Sequence, residues 1–445
     1  MSTIFFCNKM KILIIENVWM GGAKYGLFDK LFLTSFSILP TIHARQIAAI
    51  TPKKHQIIML NERYSKINYD EDYDLVNINF TTSTAPRAYE IAKKYRKKGK
   101  KVVLSGLHVA AVPNEAKKFA DSVLLGRGEL NWLTLLSDLE NGKLKELYPS
   151  ESYKKSTKIP PTKISLPGFV VTGAVEATRG CPYRCDFCPE SNIDGGGKYF
   201  TRPVDEVIDE IRHIPQKSIM FYDSSLTINP TYTKELFQKI IPLKKRFFCN
   251  GNSNVLARDE ELVKLSKEAG CVSWLVGFES VSQKTIDSIG KNSNKVSEYK
   301  KAVENIHKYK MAVIGDFIFG FDTDTKDVFK DTMSFIKDLK IDLADFCILT
   351  PFPGTPIFNK LKNQKRLITE DWKDYYLRNV VFKPKNMTKK ELTDGVKNMY
   401  SEFYSTPYTV KRILRSMRLG FYPFILVLIR NAISNMNSRK LLAQT

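Results

Sequence analysis

Thr178-Arg-Gly-Cys-Pro-Tyr-Arg-Cys-Asp-Phe-Cys-Pro189 decides how this 445-residue chain is interpreted, because it brings Cys181, Cys185 and Cys188 close together. A four-iron cluster normally takes four cysteine ligands. With only three cysteines nearby, one iron stays open to a small molecule. In the same way, a catalytic zinc keeps one coordination position open, whereas a structural zinc does not. The stretch therefore predicts an iron–sulfur cluster with one open iron.

The alternative is a structural zinc site, which needs a fourth Cys or His within reach. No His lies between Thr178 and Arg212, and the remaining cysteines are scattered, at Cys7, Cys249, Cys271 and Cys347. Seven cysteines in a chain of this length do not indicate a disulfide framework. An oxygen-sensitive cluster suits a reducing compartment, and residues 1–20 lack a signal-peptide pattern. We expect a cytoplasmic protein.

The chain is strongly basic, with a formal net charge of +22. The basic residues are spread along the sequence and accompany no nucleic-acid recognition motif, which argues against a nucleic-acid partner. Solubility and attraction to an anionic membrane surface are better uses of this charge.

Short apolar runs alternate with helical segments over residues 1–148, a pattern typical of a parallel α/β sheet. We predict a Rossmann-like or flavodoxin-like domain, with strands at Lys11–Ile15, Gln56–Leu60, Leu75–Asn79, Lys101–Ser105 and Ser122–Leu125. Ligands on such sheets bind outside the carboxyl ends of the strands. The loops expected there are Phe80–Ala85, Gly106–Pro113 and Gly126–Glu129.

After a predicted linker at 149–170, six strand–helix alternations fill residues 171–356. The expected strands are near 172–177, 218–222, 246–250, 273–278, 312–319 and 344–350. Six parallel units make a partial (β/α)6 barrel, whose site lies at the carboxyl ends of the strands. The cysteine loop follows the first strand.

The C-x3-C-x2-C spacing, the aromatic Phe187 and the strand-like lead-in at 171–178 resemble the radical S-adenosylmethionine (SAM) superfamily. The resemblance implies that the three cysteines bind a catalytic [4Fe-4S] cluster. It implies further that SAM chelates the open iron and that one electron cleaves it to a 5′-deoxyadenosyl radical. An electron donor such as a ferredoxin or flavodoxin would then be a partner.

The resemblance extends to residues at later strand ends, which it implies contact SAM. They are Asp223 in the run 221–229, Ser253 in the run 250–254, and Glu279 with Ser280 in Gly277-Phe-Glu-Ser280. Each has an ordinary alternative: a helix cap or turn for Asp223, a turn for Ser253, and a salt bridge with a nearby Lys for Glu279.

The N-terminal loops resemble the cobalamin-binding domain that precedes many radical SAM enzymes, which makes cobalamin a predicted cofactor. The residues that would contact it are Thr82, Ser83, Gly106, His108, Gly126 and Glu129. The Asp-x-His-x-x-Gly signature of a lower axial His is absent, so His108 is not assigned as a cobalt ligand. The alternative is a retained scaffold without cofactor.

Residues 357–445 are predicted to form a helical C-terminal module, and stretches between Asp371 and Ser405 resemble the module that accompanies this barrel in hopanoid C-methylases and related enzymes. The last 35 residues are basic, without an acidic side chain, around the uncharged run Leu419–Ile429. Such a segment fits either peripheral contact with the inner face of the membrane or a helix docked on the barrel. Membrane contact would suit a lipid substrate.

Together these features predict a cobalamin-dependent radical SAM enzyme that methylates an unactivated carbon of a small molecule or lipid. One alternative is a radical SAM enzyme with a cofactor-free N-terminal domain that cyclises, couples or rearranges its substrate. A second is a non-catalytic iron–sulfur or zinc protein.

Overall fold

The computed structural model describes residues 9–17, 42–62, 65–126, 128–151, 172–193 and 196–442, the last ten through their backbone alone. Two compact units divide the chain. Unit 1 comprises Met1–Val170, Ile193–Gly195 and Asp371–Asp374, and unit 2 comprises Val171–Asn192, Gly196–Glu370 and Tyr375–Thr445. The domain limits expected from the sequence, with a separate C-terminal module from residue 357, stay predictions.

In the described part of unit 1, six parallel strands form one sheet in the order β2-β1-β3-β4-β5-β6. They are β1 (Lys11–Asn17), β2 (Gln56–Asn61), β3 (Leu75–Asn79), β4 (Lys101–Ser105), β5 (Ser122–Leu124) and β6 (Leu147–Tyr148). The strand order reverses between β1 and β3, and a ligand crevice is expected outside the carboxyl ends at this point. The predicted flavodoxin-like arrangement is confirmed.

Helices cover both faces of this sheet. They are α1 (Ile42–Ile50), α2 (Ala85–Lys97), α3 (Leu107–Ala111), α4 (Pro113–Ala116) and α5 (Glu129–Glu140), with short 3₁₀ turns at Thr82–Thr84 and Lys117–Phe119. On one face Leu13, Ile15 and Val76 pack with residues of α2. On the other, Ile12 and Ile14 pack with residues of α1 and α5. Successive side chains of a strand thus enter two separate cores, which explains why the apolar residues of β1 follow one another without alternation.

The main sheet of unit 2 contains, among the residues described, six parallel strands in the order β14-β13-β12-β11-β10-β7. They are β7 (Thr172–Val175), β10 (Ser218–Phe221), β11 (Arg246–Gly251), β12 (Cys271–Glu279), β13 (Ala312–Phe319) and β14 (Leu343–Ile348). A hairpin of β8 (Thr178–Gly180) and β9 (Tyr199–Thr201) follows β7. Because spatial order follows chain order, this sheet is the predicted partial barrel.

The helices of unit 2 alternate with these strands and then continue beyond them. They are α6 (Pro189–Asn192), α7 (Val204–His213), α8 (Pro230–Ile240), α9 (Ser253–Arg258), α10 (Glu260–Glu268), α11 (Gln283–Ser288), α12 (Tyr299–Lys308), α13 (Asp327–Asp338), α14 (Pro356–Asn363), α15 (Lys389–Phe403), α16 (Thr406–Ser416) and α17 (Phe421–Leu442). Local signals set several starts: Asn229 accepts a hydrogen bond from the backbone N–H of Tyr232, and Asp259 accepts one from that of Leu262.

The C-terminal helices pack on the barrel. Leu419 and Val427 are buried with Ala312, Ile314 and Leu343 of β13 and β14. The sequence allowed two interpretations of this basic segment, contact with a membrane or a helix docked on the barrel. These contacts are those of a docked helix. A search of the described residues for a helix long and apolar enough to cross a membrane finds none.

Candidate active site

The three cysteines lie in one loop, directly after β8. Gly180, just before Cys181, has φ +71°, and a Cβ there would collide with the carbonyl oxygen of Lys198 in the hairpin. Asn192 closes the loop, because its Nδ2 donates to the carbonyl oxygens of Cys185 (2.7 Å) and Cys188 (2.8 Å). The loop is therefore shaped by its own neighbours, with Cys185 buried and the other two thiols partly exposed.

Burial governs the acidity of two of these thiols. It raises the pKa of Cys181, and it raises the pKa of Cys185 to about 12, while the ammonium group of Lys291 opposes both shifts. Loading a metal must then displace protons from buried thiols, so it is favoured at higher pH. The described residues contain no group of three or more His, Cys, Asp or Glu side chains that could hold a metal ion. The three thiols need not converge on one ion, because each thiolate of a four-iron cluster binds a different iron.

Asp223 lies beneath this loop, completely buried at the end of β10. One carboxylate oxygen accepts hydrogen bonds from the N–H (2.5 Å) and Oγ1 (2.7 Å) of Thr178, and the other accepts one from the N–H of Ala177 (3.2 Å). Burial raises the pKa of Asp223 to about 7, although the hydrogen bonds from Thr178 and Ala177 oppose the shift. The structure thus places Asp223 as a support for the approach to the cysteine loop.

Polar groups collect where β11 ends. Ser253 is completely buried at the first position of α9, and its Oγ has no hydrogen-bond partner among the described residues. Asn250 Oδ1 and Asn252 Nδ2 are likewise buried and unpartnered in that part of the chain. Buried polar atoms are nearly always hydrogen-bonded in folded proteins. These three atoms therefore fit a polar ligand such as SAM.

Glu279 is held in an unusual conformation at the end of β12. Its φ is +61°, and the pairing with β13 shifts register between Gly277 and Glu279. Asn294 fixes this strand end by donating from Nδ2 to the carbonyl oxygens of Gly277 (2.9 Å) and Phe278 (3.2 Å). The adjacent Ser280 is buried, and its Oγ accepts from the N–H of Ser282 (3.2 Å). Left-handed backbone at a non-glycine residue is strained, and such strain concentrates at functional sites.

Lys291 lies in this cluster, although the sequence did not single it out. Its ammonium group forms an ion pair with Glu279 and lies 5.9 Å from the centre of the Phe187 ring. Burial lowers the pKa of Lys291, but Glu279 and the thiols of Cys185 and Cys188 outweigh this effect and raise it. The salt bridge considered as an alternative for Glu279 therefore exists. It joins Glu279, Phe187 and the cysteine loop around one cation.

A second polar cluster lines the inside of the barrel below Glu279. Asp316 and Asp345 are direct neighbours on β13 and β14, on the side opposite the helices that pack against Phe317 and Phe346. Arg430 of α17 pairs with Asp345 (2.9 Å). Burial and the charge of Asp345 hold the pKa of Asp316 well above its usual range. The barrel interior is thus polar on this side and partly neutralised from the C-terminal helix.

In unit 1 the predicted cofactor loops lie side by side, because β3, β4 and β5 are neighbours in the sheet. Thr82 and Ser83 follow β3, Gly106 and His108 follow β4, and Gly126 and Glu129 follow β5. Gly106 has φ +112°, and a Cβ there would collide with the carbonyl oxygen of Phe80. Glu129 is buried at the first position of α5, and Gly126 supplies a positive φ of 74° in the turn before it.

His108 faces the interior of unit 1. Its ring is completely buried, with Nδ1 3.2 Å from Thr82 Oγ1 and Nε2 3.6 Å from Glu115 Oε1. Glu115 also accepts hydrogen bonds from Tyr89 Oη (2.9 Å) and Trp372 Nε1 (2.9 Å). Burial alone would raise the pKa of Glu115, but the nearby His108 ring and the hydrogen bonds from Tyr89 and Trp372 lower it. His108 thus belongs to a network that ties the loops after β3 and β4 together.

Comparisons with known proteins identify the family of the chain. Residues 175–336 match the radical SAM superfamily. The chain is 32% identical to bacteriochlorophyllide d C-8(2)-methyltransferase of Chlorobaculum tepidum over 84% of this chain and 87% of that protein. It is 30% identical to bacteriochlorophyllide d C-12(1)-methyltransferase of the same organism, over 86% of each. The hopanoid C-2 methylase of Rhodopseudomonas palustris is 25% identical over 61% of this chain and 54% of that protein.

Among solved structures, the cobalamin-dependent SAM radical enzyme OxsB, with aqua-cobalamin and SAM bound, matches with a TM-score of 0.66. The match has 12% sequence identity and covers 98% of this chain and 75% of that one. At this identity the likeness concerns the fold. With the identity and coverage of the two Chlorobaculum enzymes, it leads to one conclusion: the chain belongs to the radical SAM superfamily, in the family of methyltransferases that includes them.

Proposed function

We propose that the protein is a cobalamin-dependent radical SAM enzyme that methylates an unactivated carbon of an extended, largely apolar small molecule. The observation that carries this proposal is the loop with Cys181, Cys185 and Cys188 at the carboxyl end of the first barrel strand, in a chain related to methyltransferases over most of its length. When bound, the cluster supplies the electron that cleaves SAM, and cobalamin carries the methyl group.

The residues of unit 2 have distinct roles in this proposal. Cys181, Cys185 and Cys188 bind three irons. The unpartnered atoms of Asn250, Asn252 and Ser253 hold polar groups of SAM, which would remove the penalty of burying them without hydrogen bonds. Asp223 keeps the cysteine loop in place and does not need to touch SAM.

Glu279 and Lys291 form the charged part of the SAM site. A buried ion pair presents both signs of charge, and SAM carries an amino and a carboxylate group. We therefore assign the amino group or ribose hydroxyls to Glu279 and the carboxylate side to Lys291. The positive charge of Lys291 also favours the thiolate forms of Cys181 and Cys185.

Unit 1 provides the cobalamin site, at the carboxyl ends of β3, β4 and β5. The close approach of Gly106 to Phe80 keeps the backbone after β4 free of side-chain bulk. The role of His108 is to support the loops, since both ring nitrogens already face Thr82 and Glu115. His108 is therefore assigned to the loops and not to the cofactor.

The substrate class follows from the relatives alone. The names of the related enzymes refer to bacteriochlorophyllides and hopanoids, which are both extended apolar ring systems. A lipid such as the one considered from the sequence is one member of this class. A low-potential donor such as a ferredoxin or flavodoxin would deliver the electron, and the protein would act in the cytoplasm.

Anaerobic reconstitution tests the proposal. The purified chain is loaded with iron, sulfide and hydroxocobalamin, and bound corrinoid and 5′-deoxyadenosine are measured after SAM and dithionite are added. Wild type should show both. C181A, C185A and C188A should make no 5′-deoxyadenosine, while C271A, which removes a buried cysteine of β12, should still make it.

The other outcomes separate the alternatives. If 5′-deoxyadenosine forms without bound corrinoid, the methylation hypothesis is wrong. The alternative with a cofactor-free N-terminal domain then takes its place. Neither product nor corrinoid in a folded wild-type protein would overturn the radical assignment.

A further inference from the structure

The face of the barrel opposite the candidate active site carries exposed lysines. Parallel strands begin at one end, and exposed Lys217, Lys244, Lys310 and Lys340 stand just before β10, β11, β13 and β14. The last three have φ values of 51°, 56° and 59°, which reverse the chain after the preceding helical segments. We call this end of unit 2 the N-terminal face.

Among the residues that the structure describes, acidic side chains do not balance these lysines. Exposed Glu268 and Asp338 lie in the last turns of α10 and α13, and Glu268 is 3.9 Å from Lys264 of the same helix. Exposed Arg418 adds a further positive charge. The N-terminal face is therefore net positive.

The C-terminal helices bring apolar side chains to the same face. Arg415 of α16 donates to the carbonyl oxygens of Lys340 (2.7 Å) and Ile341 (3.1 Å), just before β14. The Arg246 guanidinium, at the start of β11, lies 4.5 Å from the centre of the Tyr422 ring of α17. The segment between these two anchors, residues 415–422, therefore runs along the N-terminal face.

This segment and the adjacent Leu414 expose large apolar side chains instead of covering them. Leu414 is 62% exposed, Met417 61%, Phe421 70% and Tyr422 49%. We call these four residues the apolar row. Single exposed apolar residues are ordinary, but a contiguous group beside a charged surface marks an interaction site.

The charge of the segment selects the partner. No acidic residue occurs after Glu402 in the sequence. Arg412 is buried and donates hydrogen bonds to the carbonyl oxygen of Phe403 and to Asn431 Oδ1, so its charge is used inside the fold. Lys411 and Arg418 are exposed beside the apolar row. A second copy of the chain would bring lysines against lysines in a symmetric contact, which disfavours self-association.

We propose that the N-terminal face and the apolar row form a docking surface for an anionic phospholipid bilayer. Aromatic and aliphatic side chains enter the interfacial region, and flanking lysines pair with lipid phosphates. Docking in this way directs the carboxyl ends of the barrel strands away from the lipid. The surface thus localises the enzyme without opening its site to the bilayer, and it does not depend on the proposed function.

Vesicle sedimentation with the full-length apo protein tests this surface. The vesicles contain phosphatidylcholine alone or with about 30% phosphatidylglycerol, at about 0.1 M salt, where screening still leaves surface charge effective. We expect binding to the anionic vesicles, little binding to the neutral ones, and loss of binding as salt rises.

Two sets of variants locate the contact. K244E/K310E should weaken binding about tenfold or more, since one basic residue near an anionic surface contributes about fivefold. L414S/F421S should also weaken binding about tenfold or more, because it removes two apolar side chains that enter the interfacial region. Their matched controls are L133S, which alters an exposed Leu of unit 1, and K97E, which alters an exposed Lys of α2. The controls should bind like wild type, and all variants should keep the wild-type thermal midpoint.

Several results would overturn the proposal. They are absence of binding to anionic vesicles, equal binding to both vesicle types, and equal losses in the controls. A wild-type dimer in sedimentation velocity that L414S/F421S dissociates would assign the surface to a second copy instead.

Discussion

Replacing Lys291 with Met should destabilise unit 2 of the apo protein by an amount that depends on pH. The Glu279–Lys291 pair is largely buried, with side-chain exposures of 8% and 14%. Removing one partner of a buried pair costs about 3–5 kcal/mol, because the other charge loses its compensation. Glu279 can instead take up a proton. For a carboxyl group of ordinary acidity, this costs about 1.4 kcal/mol for each pH unit above about 4.3.

Protonation therefore limits the penalty in K291M. The limit is about 4 kcal/mol at pH 7 and about 1 kcal/mol at pH 5, since the lower pH lies less than one unit above the pKa of an ordinary carboxyl group in the unfolded chain. The sign follows from proton binding: the folded variant holds a proton that the unfolded chain has released, so stability falls as pH rises. Methionine keeps most of the apolar stem that lysine contributes.

Native-state hydrogen exchange of β12 amides, followed by mass spectrometry, measures this local free energy without requiring two-state unfolding of the whole chain. K295M, at an exposed position four residues away, should match wild type. E279Q/K291M should lose the pH dependence. A loss in K291M that is equal at pH 5 and pH 7, or no loss at all, would refute the reasoning.

Other parts of the structure yield three further predictions. G99A should cost about 1 kcal/mol, because Gly99 has a positive φ but open space around it. G106A should destabilise the β3–β4 edge of unit 1 by more than this, because a Cβ at Gly106 also collides with Phe80. Urea denaturation compares the two variants. E115A should lower the stability of unit 1 by about 1.5–3 kcal/mol and shift Trp372 emission, since hydrogen bonds to a charged group are lost. This difference should shrink as pH falls below about 4.3, the ordinary value for a glutamate, and vanish once wild type also loses the carboxylate, whose pKa the hydrogen bonds hold lower. Because the pKa of Asp223 is raised to about 7, the folded state keeps a proton that the unfolded chain releases near pH 4. Its contribution to unit 2 stability should fall by about 4 kcal/mol as pH rises from 4 to 7, and hydrogen exchange should show a flatter profile for D223N.

The sequence is informative where the signal is local. Apolar runs such as 11–15 and 312–319 predicted parallel strands, and the spacing of three cysteines predicted that they share one loop, because each depends on neighbouring residues alone. The β8–β9 hairpin and the short helix α3 were not predicted. Both are too short for periodicity to distinguish them from loop.

Long-range contacts were outside the reach of sequence patterns. Lys291 becomes part of the site only because Glu279 adopts a positive φ and turns toward it. Trp372 joins unit 1 through Glu115, 257 residues earlier in the chain. Arg430 reaches Asp345 from a helix whose basic character suggested membrane contact or docking equally well.

Glu115 shows the same limit in a motif that was recognised. It stands in the loop that resembles a cobalamin-binding domain, yet its partners His108, Tyr89 and Trp372 come from three other places in the chain. The spacing of residues located the loop, and the folded structure gives the contacts within it.

The central claim is that three cysteines hold a four-iron cluster with one iron open to SAM. Electron paramagnetic resonance of the reconstituted, dithionite-reduced protein tests it most directly, with spectra recorded before and after SAM is added. We predict a signal of a reduced [4Fe-4S] cluster whose g values shift when SAM binds, and loss of that signal in C185A. A reduced cluster whose spectrum does not respond to SAM, or a protein that binds zinc and shows no cluster signal, would contradict the claim.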